Sequence, residues 1–185
     1  MDIELEKKEF LHREFCASSF MASFGIARRI RFYQEGVDRE PIKEFFRTKL
    51  SDLLGQYSKK VDYENHTNYI EEFKKSVDGS KHSHLLEGGA ITFGRAQKLI
   101  NLYLKYAWVS GWLKREQPPH CPIDSKVIEK LEELGEKTDD FSPWTRMTKE
   151  GYIKAVQALE NVKGKISIAG WELHAFNKII AGGEN

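Results

Sequence analysis

One stretch of the chain limits its fold more than any other. Residues 91–108 read ITFGRAQKLINLYLKYAW. Wound at 100° per residue, Leu99, Ile100, Leu102, Tyr103, Leu104 and Tyr106 cover most of the helix circumference. A helix apolar on nearly every side has to be enclosed by the rest of the chain. Yet Gly94, Lys98, Asn101 and Lys105 fall on one narrow stripe, with Arg95 at its edge. That basic seam has two readings. It can face a phosphate, helped by a glycine-containing helix start and the helix dipole. Or its lysines can run along core surface to reach solvent.

The flanking segments supply the enclosure. Helical spacing of apolar residues runs from about Ile3 to Gln34, with a break into two helices expected near Ser18–Gly25. Pro41 suits the first turn of a helix reaching towards Tyr57, and Asp62 or Asn65 can cap the next, ended by Asp78 and Gly79. Pro118, Pro119 and Pro122 break the central helix. Ser125 stands where an N-cap belongs, before the stripe Val127, Ile128, Leu131, Leu134. Thr148 and Ser167 open two more helices, the last carrying Trp171, Leu173, Phe176, Ile179 and Ile180. No alternating strand pattern appears. The expectation is an all-α fold of seven to nine helices with short loops. It forms one domain over residues 1–185, in two lobes: about 1–85 with the last helix, and 86–165.

Composition narrows the function classes. With 185 residues the chain can bury a sizeable core. Two cysteines, Cys16 and Cys121, are too few for a disulfide scaffold, a zinc ribbon or a four-cysteine iron–sulfur cluster. His82, His84, His120 and Cys121 lack zinc-ligand spacing, so neither metal nor cofactor is expected. The charged N-terminus is unlike a signal peptide, and no apolar run reaches membrane-spanning length. A cytoplasmic protein with no membrane partner is expected. Net charge is +1, but its distribution is uneven. Gly88 to Arg115 contains no acid and includes Arg95, Lys98, Lys105, Lys114 and Arg115, while Arg28, Arg29 and Arg31 form a second basic knot. A nearly neutral molecule can therefore present a positive face to nucleic acid.

The loop PPHCPID (118–124) feeds the helix after it. An aspartate at that point, Asp124, suits an N-cap or its neighbour, and the dipole of the helix start favours an anionic group there. The pieces GRAQKLIN (94–101) and CPIDSKVIEKL (121–131), in this order and with an aromatic helix between them, resemble two elements of the helix–hairpin–helix base-excision DNA glycosylases. The first is similar to the second half of the hairpin. The second is similar to the block that carries the catalytic aspartate, in the form found in the archaeal 8-oxoguanine branch. The resemblance covers about 45 residues, a quarter of the chain. It implies a two-lobed helical fold with a central cleft.

It also implies excision of a modified base from double-stranded DNA in base-excision repair; defence against phage with modified DNA is a further expectation about its biology, and a monomer is expected. Asp124 would be the catalytic carboxylate. Gly94, Arg95 and Gln97 would contact DNA, with Lys105 adding charge. His120, Trp108, Trp112 and Trp171 would form the base pocket. Thr92 replaces the first hairpin glycine, and Ala96 stands where bifunctional members carry the Schiff-base lysine. The reading is therefore a monofunctional enzyme that leaves an abasic site; Lys98 takes the lysine's place only if the register shifts. The rival reading keeps the scaffold without catalysis, as a helical DNA-binding or protein-interaction module.

Overall fold

A computed structural model of the protein describes residues 2–25, 31–113 and 117–182. These residues form seven α-helices: α1 Ile3–Phe24, α2 Glu40–Gln56, α3 Tyr63–Asp78, α4 Phe93–Val109, α5 Ser125–Glu133, α6 Lys149–Val162 and α7 Ile168–Gly182. Short 3-10 turns lie at Ser83–Leu85, Glu87–Gly89 and Trp144–Arg146. Among the described residues no strand occurs beyond an isolated bridge between Tyr33 and Leu86. The fold is all-α. No described helix is long and apolar enough to cross a membrane.

Helix α4 is the spine. The helices α1, α2, α3 and α6 and the turn Trp144–Arg146 all pack on it. Every residue from Phe93 to Asn101 is buried, including Arg95, Gln97, Lys98 and Asn101. Local chemistry sets the helix starts. The side chains of Asp62, Thr92 and Thr148 accept backbone N–H bonds from Asn65, Arg95 and Gly151, and Pro41 sits in the first turn of α2. At α5 the cap is Asp124 rather than Ser125. Its Oδ1 accepts from the Lys126 and Val127 amides at 3.1 and 3.4 Å.

The expected break in the N-terminal helix does not occur. Helix α1 runs unbroken through Ser18 and Ser19 to Phe24, and Gly25 ends it by donating to the Met21 carbonyl. The serines are there for packing. Cys16, Ser19, Phe20, Ser23 and Phe24 form the buried end of α1, and the small side chains let it lie close to α4. Residues 31–34 are not helical, against the expectation of a helix reaching Gln34. There Phe32 stacks on Phe24, ring centroids 3.9 Å apart. Arg28, Arg29, Lys114 and Arg115 lie outside the described residues; Arg31 pairs with Glu35 on the surface.

Candidate active site

The seam read from the sequence exists, but it faces inward. Each of its members meets a group brought by the C-terminal half of the chain. The Gly94 amide donates to the Met147 carbonyl at 3.1 Å. The Lys98 ammonium lies 2.7 Å from Asp124 Oδ2 and 4.6 Å from the centre of the Trp144 ring. Asn101 donates to the Tyr152 hydroxyl at 3.0 Å. Lys105 reaches both carboxylate oxygens of Glu172, at 2.9 and 2.8 Å. Helix α4 thus organises α5, α6 and α7 through polar side chains as well as by burial.

Asp124 is held at both oxygens. Oδ1 is fixed by the first-turn amides of α5, and Oδ2 by Lys98. A charge-assisted bond of this kind is roughly twice as strong as a neutral one. The Lys98 side chain is 4% exposed, while that of Asp124 is 22% exposed. The carboxylate therefore reaches a groove that the ammonium underlies. That groove is lined by Asp124, Lys105, Lys126, Trp171, Glu172 and Phe176, among others. Its volume is about 90 Å³. Phe176 is 37% exposed, with Lys105 4.2 Å and Lys126 5.7 Å from its ring centre. Burial raises the pKa of Glu172, with the Lys105 charge opposing that shift.

Gln97 positions this aspartate from behind. It is fully buried and pairs its side-chain amide with the backbone of Ile123, donating to the carbonyl at 2.6 Å and accepting from the amide at 3.1 Å. Gln97→Met would leave both backbone groups of Ile123 buried and unpaired. The expected loss is about 2 kcal/mol of stability in urea denaturation.

Several sequence expectations are corrected here. Gly94 does not offer its amide to a phosphate, because Met147 takes it. Arg95 is 4% exposed; it donates to the Ser23 carbonyl and lies over the Phe32 ring, tying α4 to α1 rather than to DNA. Gln97 is internal, as above. Trp108 and Trp112 pack against the core, Trp112 beside Phe15, and neither lines the groove that holds Asp124. His120 is buried and lines a different cleft. Lys105 and Trp171 do line the Asp124 groove. Ala96, at the register position compared with the Schiff-base lysine, is enclosed in the core, and Lys98 is the amine beside Asp124. Lys126 and Phe176 also line the groove, although Phe176 was expected only as an apolar residue of the last helix. The usable signal was Phe176 standing one helical turn after Glu172, which puts both on one face of α7. Among the described residues no group of three His, Cys, Asp or Glu side chains gathers as a metal ion would need.

Comparison with known proteins gives one partial similarity. The chain is 29% identical over 150 aligned positions to glutamate--tRNA ligase 2 of Rhodospirillum rubrum, a match covering 74% of this chain and 31% of that protein. The chain thus spans about a third of the relative's length. No family model matches, and no solved structure does.

Proposed function

We propose that the protein is a monofunctional DNA glycosylase that removes a modified base from duplex DNA. The observation that carries this reading is the Lys98–Asp124 pair, with its carboxylate at the mouth of an aromatic-walled, lysine-rimmed groove. Cleavage of an N-glycosidic bond passes through an oxocarbenium-like sugar cation. A fixed carboxylate near the anomeric carbon stabilises that charge and orients the attacking water. The α5 amides and Lys98 set the two Asp124 oxygens before substrate arrives, so no reorganisation is needed at the moment of reaction. An ammonium held in an ion pair lacks the free electron pair that a Schiff base requires, so Lys98 acts as a positioning residue.

Reaching the groove requires base extrusion, which costs a few kcal/mol. Stacking on Trp171 or Phe176 offsets it by roughly 1–3 kcal/mol per contact. Lys126 at the opening supplies positive charge for the neighbouring phosphates, whereas Lys105 and Lys130 are paired with Glu172 and Glu133.

The test uses duplexes carrying oxidised, alkylated or phage-type modified bases, followed by alkali to cut any abasic site. Asn caps helices as well as Asp does, so Asp124→Asn keeps the α5 start while removing the charge. Scission is expected for at least one duplex, reduced at least about 100-fold in Asp124→Asn, and retained within about tenfold in Lys98→Met. Borohydride trapping of a covalent complex that needs Lys98 would overturn the monofunctional assignment.

A second reading is favoured by the Gly94 amide being already bonded to Met147 and by the similarity to a tRNA ligase. It is a non-catalytic helical module that binds nucleic acid. Salt-dependent binding of duplex DNA or tRNA with no scission on any duplex would favour it.

A further inference from the structure

Away from the Asp124 groove, a cleft of about 460 Å³ opens between α3 and α6. This lies within the size range of small-molecule sites. Tyr63 and Thr67 form one wall, Ile153 and Val156 the other, and His120 closes the floor. The Nε2 atom of His120 is buried and has no hydrogen-bond partner. Such an atom is costly to leave unmatched, and one so placed calls for an explanation.

Its protonation follows from a chain of hydrogen bonds anchored in the backbone. Ile123 fixes which end of the Gln97 amide is which, because one of its groups donates and the other accepts. Asn101 donates to the Gln97 oxygen at 3.3 Å and to the Tyr152 hydroxyl at 3.0 Å, so its own oxygen faces His66 Nε2 at 2.9 Å. His66 Nε2 must therefore donate, and its Nδ1 accepts from the Tyr57 hydroxyl at 2.5 Å. Tyr152, already an acceptor from Asn101, gives its proton to His120 Nδ1 at 2.8 Å. Burial keeps His120 neutral by pushing its pKa well below the ordinary value, and the neighbouring His66 works in the same direction. The one ring proton of His120 is then on Nε2. With Nδ1 turned to Tyr152, the edge that remains is a lone N–H donor at the floor of an otherwise mainly apolar cleft.

We propose that this cleft is a second binding site, for a neutral planar heterocycle whose carbonyl oxygen accepts the His120 Nε2–H bond, the chemistry of a free nucleobase. The donor needs an acceptor, and the walls suit a flat ring. The Tyr63 ring stands beside the His120 ring, centroids 4.7 Å apart, and its hydroxyl donates to Glu160 at 2.6 Å across the cleft. Glu64 and Glu160 on the rim disfavour anions, and Lys149 is already engaged by Glu71 and Asn68. A ligand need only displace the Tyr63 ring from over His120 to reach the donor.

Uracil serves as the probe, with toluene as a ring of similar size that has no acceptor. In protein labelled with ¹⁵N-histidine, the spectrum is expected to show His120 protonated at Nε2, and uracil to shift that signal saturably. Ile153→Trp fills the cleft from its exposed side without touching the hydrogen-bond chain. It is expected to weaken uracil binding at least tenfold, whereas Asp124→Asn leaves it unchanged. Toluene is expected to give no displacement of the Nε2–H signal. The proposal is overturned if His120 carries its proton on Nδ1, if uracil produces no saturable shift at the solubility limit, or if Ile153→Trp binds as the unmodified protein does. The Asp124→Asn arm separates this site from the excision reading, since either can fail alone.

Discussion

Gly94→Ala is expected to lower the melting temperature by on the order of 10 °C, from a loss of about 3 kcal/mol. The added methyl would run directly into the Trp144 carbonyl oxygen and lie 3.1 Å from Met147 Cβ. Neither obstacle is the loose end of a side chain. The Trp144–Arg146 turn would have to move off α4, breaking the bond from the Gly94 amide to Met147. It would also shift Trp144, whose ring lies over Lys98. Ordinary helix propensity predicts the opposite sign, since alanine is favoured over glycine in a helix interior by roughly 1 kcal/mol. Thermal denaturation of the variant decides between them. A stabilised protein would mean that the turn does not rest on α4 as described.

Stability is also expected to fall steeply as the solution is acidified from pH 6.5 towards pH 4. His66 is wholly buried and its pKa is lowered from 6.5 to about 4, chiefly by burial, against a smaller opposing effect of the Asn101 hydrogen bond. The pKa of His120 is lowered as well. In the unfolded chain both residues take up a proton near pH 6.5; in the folded protein they do so only at lower pH. The unfolded state binds more protons across this window, so folding stability drops as pH falls through it. For His66 alone the loss is about 3 kcal/mol between pH 7 and pH 4. The raised pKa of Glu172 works in the other direction, because there the folded state binds the proton first. Urea denaturation at pH 7 and pH 4.5 measures the balance. His66→Gln should be less stable at pH 7 yet lose less on acidification. An acid sensitivity of the unmodified protein equal to that of His66→Gln would mean that His66 is not enclosed.

Much of the helical framework was legible because it is written in local chemistry. Pro41, Asp62 and Thr148 mark helix starts by what a proline ring or a side-chain oxygen does to the nearest backbone. The N-terminal segment was misread for the complementary reason. Ser18, Ser19 and Ser23 resemble a break when taken alone, but Ser19 and Ser23 are buried, where their small size allows α1 to approach α4.

The candidate site divides in the same way. Residue spacing located the stripe Gly94, Lys98, Asn101, Lys105 and the helix-capping position around Asp124. It could not say that the stripe points into the protein. That depends on Asp124, Tyr152 and Glu172, which lie 26, 51 and 67 residues away from their partners along the chain. Arg95 and Gln97 stand in the segment that resembles the glycosylase hairpin, which implied contacts to DNA. Their polar ends are satisfied internally, by the Ser23 carbonyl and the Ile123 backbone. His120 was placed near the substrate because it precedes Asp124 by four residues. The loop turns between them, so the two side chains line separate cavities.

Under the proposed function, the Asp124 carboxylate supports the departure of a nucleobase from its sugar. The most direct measurement is single-turnover release of the free base, followed by chromatography, from a duplex that the unmodified protein has been found to process. Asp124→Asn is expected to bind this duplex with unchanged or tighter affinity but to release base at least about 100-fold more slowly. Release at the same rate from Asp124→Asn would contradict it.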